Sequence, residues 1–217
     1  MKIEYFGHSC FRITNAAKKS VLTDPYTRVG YALPKELTAS AVTVSHNHFD
    51  HNYIEAIQGD YKLINTVGAI DLQGVSVVGV KSWHDPKEGA LRGENLIFRI
   101  EIDGLKICHF GDLGEGYSEK FDDILGDADI WLIPVGGTYT IDAMQAKEYV
   151  ERLQPKCVIP MHYLPEDGRL DITPADCFLK LFDEGKIIYC PQGEAELSFE
   201  TLKEWNSKIL FMERKCV

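Results

Sequence analysis

Six consecutive residues, His46-Asn47-His48-Phe49-Asp50-His51, carry four side chains of the kinds that bind divalent metals. Imidazole and carboxylate are the ligands expected for zinc, iron or manganese. Four donors so closely spaced cannot share one helical face, because positions i and i+2 point apart. In an irregular loop running into a helix they can splay around two neighbouring ions instead. Two histidines and one aspartate also leave coordination positions open, which separates a catalytic ion from a structural one. The competing reading, a solvated polar turn, must accept three of the seven histidines within six residues.

The elements around this run explain how it could be held. It follows Ala41-Val42-Thr43-Val44, a short apolar and β-branched stretch that reads as a buried strand. Other donors occupy equivalent positions: Asp24 closes a strand over 20–23, Asp112 follows one over 105–110, and His162 follows one over 157–160. His84 lies just past a strand over 75–80. Strand ends gather at one edge of a sheet, where a rigid scaffold assembles ligand sites. His109 competes with His84 for a place in the cluster, but it lies inside the 105–110 strand, which favours a packed or hydrogen-bonded role.

Further strands are expected over 3–6, 10–14, 62–65, 96–102, 130–133, 186–189 and 195–199. Asp103-Gly104 between 96–102 and 105–110 is a strong hairpin signal. Residues 119–125 and 142–153 read as helices, the second with Asp142 at its start and Pro155 past its end. Thr173-Pro174 opens another, with Thr173 as cap. Residues 200–217 receive no assignment. Short strands alternating with helices make the chain an α/β (α+β) protein.

Bulk properties narrow the function. A length of 217 residues suits one domain spanning 1–217. No apolar run approaches the ~18 residues of a membrane span, no N-terminal signal pattern is visible, and the protein reads as cytoplasmic. The six cysteines (Cys10, Cys108, Cys157, Cys177, Cys190, Cys216) contain no Cys-x-x-Cys and read as reduced thiols. A net charge of −10 disfavours a nucleic-acid partner. Homo-oligomerisation is left open.

His46-Asn47-His48-Phe49-Asp50-His51 fits His-x-His-x-Asp-His and resembles the signature of the metallo-β-lactamase superfamily. The order Asp24, signature, His84, Gly111-Asp112 and His162 resembles that superfamily's order of motifs, over roughly residues 1–200. Gly7-His8-Ser9 and Pro134-Val135-Gly136-Gly137-Thr138 look closest to small single-domain hydrolases that include ascorbate-6-phosphate lactonase-like proteins. The resemblance implies a four-layer αββα sandwich. It implies one ion on His46, His48 and His84, a second on Asp50, His51 and His162, and Asp112 bridging them. Asp24 would orient a ligand histidine, and His8 would line the pocket or simply hydrogen-bond within a turn.

Two divalent ions, zinc first with manganese or iron as alternatives, would activate a water for attack on a small-molecule ester, lactone or phosphoester. Asp50 and His51 would be catalytic, Asp50 also orienting the nucleophile or moving its proton. Gly137 and Thr138 could offer backbone N–H groups to an anionic substrate, or could form a glycine connector. Arg92 and Lys87 could contact a phosphate or carboxylate, or belong to a solvated loop. The alternatives are an iron-containing, dioxygenase-like redox enzyme on the same scaffold and a nuclease or phosphodiesterase.

Overall fold

The structure is a computed structural model that describes residues 1–215. Cys216, expected to be a reduced thiol, lies outside the described residues, as does Val217. The chain begins with β1 (Lys2–Gly7), β2 (Cys10–Thr14), β3 (Ser20–Thr23), β4 (Leu37–Thr38), β5 (Ala41–Thr43), β6 (Ile57–Gln58) and β7 (Lys62–Ile64). It continues through β8 (Gly68–Asp71), β9 (Val75–Trp83), β10 (Glu94–Ile102), β11 (Leu105–His109), α1 (Asp122–Leu125) and β12 (Ile130–Pro134). The last part holds α2 (Ala143–Leu153), β13 (Cys157–Met161), α3 (Asp176–Leu179), β14 (Ile187–Cys190), β15 (Glu194–Glu196), α4 (Phe199–Leu202) and β16 (Lys208–Met212).

These strands form a six-stranded sheet, β15-β1-β2-β3-β5-β7, and an eight-stranded sheet, β14-β16-β13-β12-β11-β10-β9-β8. Within the first, β1 and β3 are each antiparallel to β2, and β3 is parallel to β5. So β1, β3 and β5 run the same way. In the second, β9 and β11 are each antiparallel to β10, while β11, β12 and β13 are parallel. So β9, β11 and β13 run the same way. Every donor singled out from sequence follows the C-terminal end of one of these six strands, and strand direction is what brings them to common edges.

Period-two alternation sorts side chains between layers. Ile3, Tyr5, Phe11, Ile13 and Val21 from the smaller sheet join Phe98, Ile100, Ile102 and Ile107 of the larger in one core. The opposite face of the smaller sheet carries Phe6, Cys10, Leu22 and Val42, packed against Tyr26, Val29, Leu37 and Ile57. Helix α2 covers the larger sheet with Ala143, Ala146, Tyr149 and Val150 buried, and starts in a capping box between Asp142 and Gln145. The smaller sheet's outer layer is irregular chain with one 3-10 turn (Ile54–Ala56) and the β4–β6 pair, in place of a long helix.

Several expectations shift locally. The 119–125 helix is a 3-10 turn leading into α1. Thr173 is not a cap: its hydroxyl and N–H both donate to Gly136 O, and the helix starts later, at Asp176. Residues 197–199 leave the strand expected there, Phe199 starting α4, while 208–212, unassigned from sequence, form β16 parallel to β13. Cys10, Cys108 and Cys157 are buried free thiols, as their apolar neighbourhoods implied. No helix among the described residues is long and apolar enough to cross a membrane.

Glu4 ties the first strand to the chain's end. Its carboxylate, only 3% exposed, accepts from Arg12 Nε at 2.7 Å and Lys215 Nζ at 2.6 Å. Burial alone would raise its pKa, but these two cations outweigh it and hold the pKa at about 2, against an ordinary 4.5. A depressed carboxylate pKa stabilises the fold above the unfolded value and loses that contribution as pH falls towards the folded one. Acid titration of stability should therefore show a loss between about pH 4.5 and 2 that Glu4→Gln flattens. With partly exposed partners the contribution is on the order of 2 kcal/mol at neutral pH. An unchanged acid limb in chemical denaturation of Glu4→Gln would remove this assignment.

Candidate metal centre

Asp24, His46, His51, His84, Asp112 and His162 are all buried, with His46 the most open at 9% exposure. His48 is exposed and Asp50 half-buried. Among the described residues, three groups of donor atoms, each within 4.8 Å of one another, emerge: His46, His48 and His84; His46, His51 and Asp112; and His8, Asp50, His51 and His162. Asp112 sits centrally. Its carboxylate lies 3.1 Å from His51 Nε2, 3.1 Å from His162 Nε2, 3.3 Å from His84 Nε2 and 3.8 Å from His46 Nε2. Donors sharing one ion at bond lengths near 2.1 Å are separated by roughly 3.0–3.4 Å, so most of these spacings match shared coordination.

Hydrogen bonds on the far ring nitrogens explain the imidazole orientations. His51 Nδ1 lies 2.8 Å from Asp24 Oδ2, and His84 Nδ1 3.0 Å from Tyr139 O. Ser45 donates its hydroxyl to Asp24 Oδ2 at 2.5 Å and so receives the proton of His46 Nδ1, 3.0 Å away. Each acceptor fixes the Nδ1–H tautomer, leaving an Nε2 lone pair aimed inward. His46 Nε2, His51 Nε2, both ring nitrogens of His162, and Asp112 Oδ1 have no hydrogen-bond partner among the described residues. Unpaired buried acceptors cost about 1–3 kcal/mol each. Here they face one another, and a cation satisfies several at once. The residues present therefore fit bound divalent metal.

Electrostatics agree. Burial would raise the Asp112 pKa, yet His162 and His51 hold it well below the carboxylate range. Burial and the neighbouring His51 push His46 well below the ordinary imidazole value, and burial also lowers His84. His51 moves the other way: burial opposes its charge, but Asp112 and Asp24 outweigh that and raise it well above 6.5. His51 stands between the two carboxylates, 2.8 Å from Asp24 and 3.1 Å from Asp112.

Close backbone approach shapes the site. At Gly111, with φ +55°, a Cβ would stand 2.3 Å from Asn95 Oδ1 and 2.6 Å from Ser45 Cβ. Asn95 is what holds this corner, accepting from Asp112 N at 2.9 Å and donating to Phe110 O and Ser82 Oγ, both at 2.8 Å. Gly137 N donates to Ile141 O, and the carbonyl of Gly137 receives Tyr139 N, closing the turn that sets Tyr139 O against His84.

Between His84 and His109, the structure brings His84 to the cluster. His109 Nε2 lies 2.9 Å from Ser9 O, and its Nδ1 accepts from Gly111 N at 3.2 Å, so both nitrogens are used. A cavity of about 720 Å³ opens beside the centre, its lining including His46, His48, Asn65, Val67, Arg92 and Leu96. The loop bearing Arg92 is built around buried Asp85, which accepts from the N–H groups of Lys87, Gly89, Leu91 and Arg92. Arg92 also donates to Thr138 O at 3.0 Å and lies 5.6 Å from the Tyr139 ring centroid.

Sequence reasoning did not single out Ser45 or Asn95. Ser45 adjoins the signature and could have been noticed; Asn95 acts across the β9–β10–β11 turn of the sheet and leaves no local signal. His8, for which pocket lining and a turn hydrogen bond are both open from sequence, also follows a strand end, that of β1.

A family model described as a beta-lactamase superfamily domain matches residues 2–162. A UPF0173 metal-dependent hydrolase of Thermococcus onnurineus is 30% identical over 75% of this chain and 84% of its own length. Another from Pyrococcus abyssi is 29% identical over 89% and 98%. A solved Thermotoga maritima protein, described as a candidate Zn-dependent hydrolase of the metallo-beta-lactamase superfamily, superposes with a TM-score of 0.80 at 37% identity, covering 98% of both chains. The chain belongs to the metallo-β-lactamase superfamily and is a metal-dependent hydrolase.

Proposed function

We propose that residues 1–217 act as one hydrolase domain that holds two divalent ions and cleaves a small-molecule ester, lactone or phosphoester. The observation that carries this reading is the set of Nε2 atoms of His46, His51 and His162, unpaired among the described residues, that converge on the Asp112 carboxylate. His46, His48 and His84 would hold one ion, Asp50, His51 and His162 the other, and Asp112 would bridge them. Zinc suits the nitrogen-rich first group, with manganese or iron as alternatives. Such ions supply a water acidified to a pKa near 7 and a Lewis acid for the developing oxyanion.

The chain's own groups do the rest. Asp50 is half-buried, and although burial would raise its pKa, His8 and His51 keep the carboxylate ionised, suited to orient a water or accept its proton. Arg92 adds a fixed cation at the cavity wall, which favours substrates bearing a phosphate or carboxylate. The net charge of −10 repels polyanions, which supports a small substrate over a nucleic acid. The five described cysteines stand as free thiols, in keeping with a reducing, cytoplasmic setting.

The decisive measurement is elemental analysis of protein purified without added metal, followed by a panel of lactones, carboxylic esters, phosphomonoesters and phosphodiesters. About two divalent ions per chain and turnover of one small ester class, abolished by chelation and restored by metal, is the expected result. Iron with oxygen consumption and no hydrolysis would replace this reading with a redox one.

A further inference from the structure

The geometry points to His8 as a fifth protein ligand, through Nε2, of the second metal position, beside Asp50, His51, His162 and the shared Asp112. This rests on the two-ion reading above and extends its ligand set.

Three observations carry it. First, His8 is 1% exposed and its Nε2 is buried with no hydrogen-bond partner among the described residues, and it does not line the cavity beside the centre. Second, that nitrogen is aimed at the donors: it lies 3.4 Å from Asp50 Oδ2, the spacing expected of two atoms on one ion. Its ring centroid stands 4.2 Å from that of His162 and 4.9 Å from that of His51. Third, the backbone is pinned to keep it there. The His8 carbonyl accepts from His162 N at 2.9 Å and from Tyr5 Oη at 3.1 Å, coupling the end of β1 to the end of β13.

A plain hydrogen bond from His8 to Asp50 is the alternative role. At 3.4 Å it would be long, and it leaves the nearby His162 nitrogens unserved. Coordination serves His8 Nε2 and one His162 nitrogen together. Five protein donors exceed the four that tetrahedral zinc prefers, so the second position should accept an ion of higher coordination number, manganese or iron among them, more readily than the first.

The test uses the whole chain, metal-stripped, as wild type and as His8→Asn. Asparagine tolerates the positive φ of 54° at this position and is too short to reach the ion. Each protein is titrated with Co²⁺ by visible absorption, with elemental analysis after desalting and a thermal melt of the metal-free form. Wild type should bind two equivalents. His8→Asn should keep the first, bind the second at least about tenfold more weakly, and show a more intense band for it as coordination number falls. Added free imidazole should restore the wild-type spectrum. If His8→Asn does not fold, His8→Ala is read by the same criteria. Two equivalents with unchanged affinity and spectrum in the variant would overturn the inference while leaving the two-ion reading intact. A single equivalent in wild type would overturn that reading itself, and this inference with it.

Discussion

Asp112→Ala should release both ions and lower kcat/KM by roughly 10³-fold or more, about 4 kcal/mol of transition-state stabilisation. The expectation follows from position. One carboxylate, 2% exposed, stands 3.1–3.8 Å from the Nε2 atoms of His46, His51, His84 and His162. Removing it deletes the one donor both proposed ions would share and the negative charge that would offset them. No neighbour replaces it, because Asp24 is already committed to Ser45 and His51. Fold loss is not expected to be the cause. Asn95 binds the backbone N–H of Asp112, not its side chain, so the corner keeps its hydrogen bonds in the variant. Metal content per chain, measured beside the thermal midpoint of the metal-free protein, separates the two effects. Retention of two ions by a well-folded Asp112→Ala would mean that the bridging role is wrong.

Asp24→Asn should weaken metal binding by about 10–100-fold, the usual cost of losing the carboxylate behind a ligand imidazole. Asp24 touches no substrate-facing atom and is fully buried, yet it accepts from Ser45 N at 2.8 Å, from Ser45 Oγ and from His51 Nδ1. An amide of the same shape cannot accept all three. Either His51 loses its tautomer or Ser45, and through it His46, loses its orientation. The pH dependence changes as well. In the metal-free protein the raised pKa of His51 adds stability below about 6.5, the unfolded value, and that contribution fades as pH rises through the folded pKa. Metal binding has the opposite trend, because the ion must displace that proton. With Asp24 neutral, both trends should shrink. Calorimetric metal titrations of wild type and Asp24→Asn at two pH values, with apo melts at the same pH, measure this. Equal affinities and equal pH slopes would show that Asp24 does not act through His51.

Much of the centre was legible because its signals are local. The spacing His46-x-His48-x-Asp50-His51 survives any folding of the rest of the chain, and the strand-end placement of Asp24, Asp112 and His162 follows from short apolar runs beside polar residues. The Asp103-Gly104 hairpin belongs to the same class: the structure pairs β10 and β11 across it in the expected antiparallel register. The less legible parts depend on contacts distant in sequence. Thr173 looked like a helix cap, but Gly136 O, 37 residues away, captures its hydroxyl. The 208–212 strand has little pattern of its own and exists because β13 and β14 flank it on either side.

The histidine and aspartate types, their spacing, and the strands that precede them were determined by sequence alone, and with them metal chemistry and the α/β class. Only the tertiary structure decided which donors meet. It set His84 among the donors while His109 pairs with Ser9 O and Gly111 N, and it folds the Gly137-Thr138 stretch into a turn that aims Tyr139 O at His84. It also brought His8, 38 residues before His46, to the second group of donors. The reason is physical: spacing along the chain sets what a residue can bind, but the lone pair it presents depends on the acceptor behind its ring, and that acceptor comes from elsewhere in the fold.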